Sequence, residues 1–385
     1  MTDRVPAEVF APGEFLREEL DARGWTQGDL AEILGRNPRD VSEIITGKRT
    51  ITPETARGLE QALGTSAMFW LNLDSAYQLS RTKPVGDLVA RRARLYERAP
   101  IKEMLRRHWI VPSESVEVLE KQTLGFFEIG SLEETPEFKI AARMSAPYDE
   151  FTPTQIAWLF RARHLAGMVQ ARAFSTTRLK ESLQHLSAIV PNPPDIRLVP
   201  RVLADAGIRL VVLEHLPQTR IDGACFWLER RSPVIALSLR YDRIDAFWYT
   251  LMHELGHVWN QDGLDLKYRP LDTDLVGNDA VATEQKPVIE KEADRFAAET
   301  LVPQGELEDF VLRTRPLYSA RKIEGFAARI GTHPGIVVGQ LQFRKELLYS
   351  QHRRYLVKVR EIVTRASLTD GWGHTITPEG PKNVA

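Results

Sequence analysis

The sequence predicts a multidomain, mainly helical chain: a helix-turn-helix bundle first, a helical middle region second, and an α+β unit with a small sheet last. Three observations carry this expectation. The length of 385 residues exceeds what one ordinary core organises. Capping and turn signals cut the first 80 residues into short amphipathic helices. After the run VPNPPD at 190–195, where successive prolines cannot continue a helix, helical periodicity gives way to strand-like runs. The expected units are residues 1–80, 81–195, 196–345 and 346–385.

In the first unit, Thr26 can cap a helix whose third residue, Asp29, completes a variant of the capping box, with Ala31, Ile33 and Leu34 on its buried side. Gly35 ends it. Asn37 then suits an N-cap, Pro38 the first helical position and Asp40 the third, where a carboxylate favours the positive helix end. Val41, Ile44 and Ile45 turn to the core and leave Arg39, Ser42, Glu43 and Thr46 along the opposite face. Two short helices joined by a tight turn make a helix-turn-helix candidate. The run from Ala11 to Leu73, APGEFLREELDARGWTQGDLAEILGRNPRDVSEIITGKRTITPETARGLEQALGTSAMFWLNL, resembles the HigA-like branch of the XRE helix-turn-helix regulators, which are antitoxin-type proteins. The resemblance implies a homodimer on a palindromic DNA operator, with the helix Pro38–Thr46 in the major groove and Gln27, Lys48 and Arg49 near phosphates. It also allows a toxin partner. Against phosphate attraction, residues 1–79 carry 8 Lys or Arg and 13 Asp or Glu, so a protein-docking module is the alternative.

The middle region opens on a basic segment. Arg81, Lys83, Arg91, Arg92, Arg94, Arg98, Lys102, Arg106 and Arg107 face only Asp87, Glu97 and Glu103, which suits a phosphate-binding surface or a solvated helix face equally. Further on, Ile156, Leu159, Phe160 and His164 share one helical stripe, and His164 reads as a buried structural histidine.

In the third unit, strands are expected at 208–216, 223–229 and 233–240, followed by a helix from Asp242 to Asn260. That helix contains His253-Glu254-Leu255-Gly256-His257. Two imidazoles four residues apart project from one helix face and can share a tetrahedral zinc ion, while Glu254 is placed as general base toward a water. The preceding AFWYTLM makes the helix apolar, giving the histidines a low-dielectric surround. A third ligand is needed. A metzincin would carry a histidine six residues past His257, but that position is Gly263. Downstream, VIEKEADRFAAETLVP places Glu290 and Asp294 on one helix face, the first as ligand and the second as a hydrogen-bond partner of a ligating histidine. Glu292, about 200° around the helix, is the alternative ligand.

From about residue 196 to 345, through HELGH, EKEADRFAAETLVP and GTHPGIVVGQLQ, the chain resembles the ImmA/IrrE-type metallo-endopeptidases. The resemblance implies a zincin-like α+β fold, a zinc cofactor, Glu290 as third ligand, and cleavage of a protein such as a repressor or antitoxin. Asp294 stands where that family usually has Asn. Proteins that join a HigA-like head to this peptidase domain are similar to the chain as a whole.

No transition-state donor stands out; Tyr249 and His333 qualify by residue type alone. Residues 262–289 form a long segment without periodicity, expected as a lid or a disordered loop. IEGFAARI with GTHPGIVVGQLQ mimics a second helix-turn-helix but lacks basic residues on its second helix, so it reads as core. The last unit is expected as a tail, basic at Arg353, Arg354, Lys358 and Arg360 and poorly ordered over TITPEGPKNVA. Composition, 43% hydrophobic and 27% charged, excludes a membrane span of about 20 apolar residues. With no secretory pattern in MTDRVPAEVF and a single cysteine, Cys225, a cytoplasmic location is expected. The functional expectation is a DNA-binding regulator carrying a zinc endopeptidase; the alternative is a non-catalytic repressor that uses the same fold as a sensor.

Overall fold

The computed structural model describes residues 9–82, 86–136, 151–264, 271–276 and 286–370, with the backbone of 139–140 and 144–145. The chain forms two compact units, Met1–Val89 and Ala90–Ala385.

The first unit consists of α1 (Pro12–Arg23), α2 (Gln27–Ile33), α3 (Pro38–Ile45), α4 (Pro53–Leu63) and α5 (Ala67–Arg81). The predicted caps form. Thr26 Oγ1 accepts from the Asp29 amide at 3.1 Å while Asp29 Oδ2 accepts from the Thr26 amide at 2.7 Å. Asn37 Oδ1 accepts from the Arg39 amide at 2.9 Å, and Pro38 opens α3. These two cap systems set the tight α2–α3 turn, with Gly35 at φ +60° between them. Val41, Ile44 and Ile45 join Leu16, Leu30, Leu59 and Trp70 in a buried core. Ile33 departs from expectation and is 50% exposed. Leu30, Ala31 and Leu34 already span the inward arc of this short helix, and Ile33 lies about 60° outside it.

The second unit begins with α6 (Leu88–Arg98), whose first turn spans the division between units, then α7 (Ile101–Arg106) and α8 (Val116–Phe127). A short hairpin of β1 (Lys139–Ile140) and β2 (Met144–Ser145) follows, then α9 (Pro153–Met168), α10 (Thr176–Ile189) and α11 (Val199–Ala206). Next come β3 (Arg209–Val212), β4 (Ile221–Trp227), β5 (Pro233–Leu237), α12 (Ile244–Asn260), β6 (Asp272–Thr273) and α13 (Val288–Leu301). Helices α14 (Gln304–Thr314), α15 (Ala320–Ile330), α16 (Pro334–Phe343) and α17 (Arg360–Ala366) and strand β7 (Leu368–Thr369) complete it.

Five strands form one mixed sheet in the order β6-β4-β5-β3-β7. Strand β4 runs antiparallel to β5, with Ala224 opposite Ala236, and β3 runs parallel to β5 and β7. Every residue of β4 and β5 is buried, which explains their unbroken apolar runs. The strands are shorter than expected, β3 ending at Val212 and β5 at Leu237.

Helices of the middle region share the core of this sheet. Trp158 of α9 is fully buried and donates to the Leu213 and Glu214 carbonyls at 3.2 and 3.1 Å. Leu95, Trp158, Val211, Trp248 and Val363 belong to one continuous cluster. The prolines after residue 190 therefore end a helix without separating two cores. The expected tail is likewise corrected for residues 346–370. Val359 and Val363 are buried, and Asp370 accepts from Trp109 Nε1 at 2.5 Å and Arg161 Nη2 at 2.6 Å. The short apolar period of this stretch was masked by its basic residues. Residues 371–385 lie outside the described residues.

Much of the basic segment is satisfied within the unit. Arg91 pairs with Glu117 and Glu120, Arg106 with Glu103, and buried Arg107 donates to the Glu214 and His215 carbonyls, each at 3.0 Å. Arg92, Arg94, Arg98 and Lys102 are exposed, and Lys83 lies outside the described residues. His164 is half-buried rather than buried, edge-on to Phe126 at 5.1 Å and 3.8 Å from Glu128.

Candidate metal centre

Helix α12 packs along α13, and at Gly256 the two come so near that a Cβ would stand 3.0 Å from Ala293 Cα. That approach brings Glu290, on the first turn of α13, to the two histidines. His253 and His257 are fully buried on α12. Their Nε2 atoms lie 3.1 Å apart; Glu290 Oε2 is 3.1 Å from the first and 3.7 Å from the second. Donors bound to one tetrahedral zinc through bonds of about 2.0–2.1 Å would be about 3.3 Å apart. The spacing fits. A fourth group, Asp272 of β6, lies 3.8 Å from each Nε2, and the four donor atoms all fall within 4.8 Å of one another.

An outer layer fixes the imidazoles. His253 Nδ1 lies 3.0 Å from Asp294 Oδ1, and Asp294 also accepts from Tyr249 at 2.9 Å and Lys286 Nζ at 2.8 Å. His257 Nδ1 lies 2.9 Å from Asp262, whose backbone carbonyl accepts from Trp227 Nε1 at 2.8 Å. Each Nδ1 thus has a carboxylate, which turns each Nε2 toward the centre. Tyr249 engages Asp294, and His333 caps α16 by accepting from the Gly335 amide at 3.0 Å.

Charge accumulates at the centre. Burial alone would depress the His253 pKa, but hydrogen bonds with Asp272, Asp294 and Glu290 outweigh it and hold it well above the ordinary value. Burial would raise Glu290, yet the two histidines pull it well below the usual carboxylate range. Glu254 goes the other way: burial, then the charge of Asp272, push it well up. Both its carboxylate oxygens are buried without a hydrogen-bond partner. A buried carboxylate without a partner is costly in a purely structural role.

Room for Glu254 comes from Gly223 on β4. A Cβ there would sit 2.1 Å from Glu254 Oε1 and 3.0 Å from the Thr250 methyl. Gly223→Ala is therefore expected to displace the Glu254 carboxylate and lower any hydrolytic activity at least about tenfold with metal content unchanged. Unchanged turnover in that variant would contradict this placement.

The expected ligands His253, His257 and Glu290 thus come together, with Asp294 against His253, while Glu292 is exposed. Asp262, Asp272, Lys286 and Gly223 are additions that sequence reasoning missed. Asp262 had one signal, its position just past the end of α12. Asp272 had none. Beside the centre lies a cavity of about 320 Å³ lined by Tyr249, Leu275, Val276, Asp294, Ile336 and Tyr349, among others.

In the first unit, Gln27, Arg39, Thr46, Lys48 and Arg49 are exposed and Ser42 and Glu43 are half-buried. Arg39 Nε pairs with Glu43 at 2.8 Å, and Arg49 pairs with Asp40 and, at 3.8 Å, with Glu43. The two expected DNA-facing arginines are thus partly neutralised by acids of the same helix.

Residues 204–340 match the family described as IrrE N-terminal-like domain, and residues 16–70 match the helix-turn-helix family. The HTH-type transcriptional regulator YddM of Escherichia coli is 34% identical over 77 residues, 20% of this chain and 82% of that protein. Antitoxin HigA-1 of Vibrio cholerae is 39% identical over 83 residues, 21% of this chain and 75% of the relative. Among solved structures, an addiction module antidote protein of the HigA family from Coxiella burnetii is 38% identical, with 19% of this chain and 79% of the other covered and a TM-score of 0.18.

Proposed function

Because the chain belongs to the HigA-like, XRE-type helix-turn-helix proteins and carries an IrrE N-terminal-like domain in its second unit, we propose that it is a DNA-binding regulator whose second unit is a zinc-dependent endopeptidase. Its substrate is a regulatory protein, such as a repressor or antitoxin, or the chain itself. The observation that carries this reading is the unpartnered buried Glu254 beside a converging His253, His257 and Glu290.

His253, His257 and Glu290 would hold the zinc. Bound there, the ion supplies Lewis acidity toward a scissile carbonyl and makes a water more acidic. Glu254, whose carboxyl is pushed well up by burial and then by the charge of Asp272, would take a proton from that water and return it to the leaving amine. Asp294 and Asp262 hold the two imidazoles in the required tautomer. The low-dielectric walls of α12 and β4 exclude bulk water, so Glu254 acts where charge interactions are strong.

For the first unit, the reading is a two-fold dimer on a palindromic site, with α3 in the major groove and half-sites about one helical turn apart. Arg39→Ala is expected to relax sequence preference, whereas Lys48→Ala or Arg49→Ala weakens binding to all sequences and reduces the salt slope by about one. Mobility shift across a salt series measures both. A chain that binds neither its own promoter nor random duplex at low salt would instead favour a protein-docking head, consistent with the acidic balance of residues 1–79.

A non-catalytic sensor-repressor remains the competing reading, and Asp272 is the observation that favours it: the carboxylate stands where a hydrolytic site keeps an open position. The experiment that separates the two is cleavage of candidate regulators by the zinc-loaded chain, with Glu254→Gln as control.

A further inference from the structure

Hydrolytic zinc sites keep three protein ligands and one open position, whereas structural sites are closed by four. This cluster has four. The extra donor is Asp272, whose Oδ1 lies 3.8 Å from His253 Nε2 and whose Oδ2 lies 3.8 Å from His257 Nε2. The residue is buried, and Oδ2 has no hydrogen-bond partner.

The backbone of Asp272 matters as much as its carboxylate. Strand β6 pairs antiparallel with β4, with Ile221 opposite Thr273 and Gly223 opposite Asp272. Without β6, β4 would be the edge strand, next to the histidines and against Glu254. An extended substrate docked by strand addition needs that same edge. The segment is also anchored beyond the strand. Asp274 accepts from Arg240 Nη2 at 3.0 Å, and Arg240 Nε in turn holds Asp222 at 2.9 Å. The Leu275 amide donates to Asp222 at 2.7 Å. The Leu275 side chain is buried and, with Val276, walls the cavity beside Tyr249 and Asp294. Residues 271–276 thus cross the site as a bound peptide would, with paired main chain, a carboxylate at the metal position and an apolar side chain at the adjoining cavity.

Building on the zinc endopeptidase reading, we infer that residues 271–276 are a built-in occupant of the peptide cleft: Asp272 fills the fourth position on the metal and β6 covers the β4 edge. A tethered ligand competes at an effective concentration on the order of millimolar. A free substrate at micromolar concentration loses to it, so the enzyme is latent. Cleavage begins when this segment leaves β4 and a substrate strand takes its place.

The test uses the full chain loaded with cobalt and titrated with azide, which binds an open metal position and changes the visible spectrum. The parent is expected to take up azide at least about tenfold more weakly than Asp272→Ala. Asp274→Ala, which loosens the anchor away from the metal, is expected between them. Equal azide affinity in the parent and Asp272→Ala overturns the inference, whether or not peptide hydrolysis is ever seen. A parent that excludes azide, together with an Asp272→Ala variant that takes it up yet cleaves nothing, retains the closed site and removes the peptidase reading. If Asp272→Ala takes up no cobalt, the parent alone decides: ready azide uptake overturns the inference, and exclusion with four nitrogen and oxygen protein donors by X-ray absorption supports it.

Discussion

Glu254→Gln is expected to keep its zinc and to lose peptide-bond hydrolysis by at least about a hundredfold, the lower end of what a general base contributes. The substitution is nearly isosteric, and the space under Gly223 accepts it without moving β4. Neither oxygen of Glu254 makes a hydrogen bond that the variant would break. The fold and the three proposed ligands are therefore preserved while the proton acceptor is removed. Elemental analysis and turnover, measured in the parent and in the Asp272→Ala background, check the two halves of the prediction. Equal turnover of variant and parent in both backgrounds would exclude the assigned role.

Zinc affinity supplies the second large effect. Removing an outer-layer partner costs such sites about 10- to 100-fold in affinity, and removing a ligand costs more. Glu290→Ala is accordingly expected to weaken zinc binding by more than about a hundredfold, and Glu292→Ala to leave it unchanged, since Glu292 is exposed on another face of α13. Competition against a chelator at constant pH measures the difference. Full affinity in Glu290→Ala together with loss in Glu292→Ala would reverse the ligand assignment.

Local chemistry made part of this architecture legible in the sequence. The α2–α3 turn was readable because its caps are short-range: Thr26 with Asp29, Asn37 with Pro38, and Gly35 between them. His253, His257, Glu290 and Asp294 were readable because helical spacing places each pair on one face. Long-range contacts were not. Asp272 reaches the histidines only through its pairing with β4, and nothing in a two-residue strand announces its partner. The shared core of the middle helices and the sheet was equally hidden, because periodicity shows that a face is buried without showing against what. Residues 346–370 read as a basic tail because two buried valines and a short strand are a weak signal among arginines. Of the expected lid over residues 262–289, residues 271–276 pair with β4 and bring Asp272 beside the two histidines, while residues 265–270 and 277–285 lie outside the described residues.

In the proposed function one chain joins operator recognition to peptide-bond cleavage. Its most direct test incubates the zinc-loaded full chain, with and without DNA from its own promoter, with itself and with products of adjacent genes, and seeks new peptide termini by mass spectrometry. The account predicts termini produced by the parent, produced faster by Asp272→Ala, and absent with Glu254→Gln. DNA binding without any new terminus under every condition, combined with normal regulation by Glu254→Gln in cells, would contradict it.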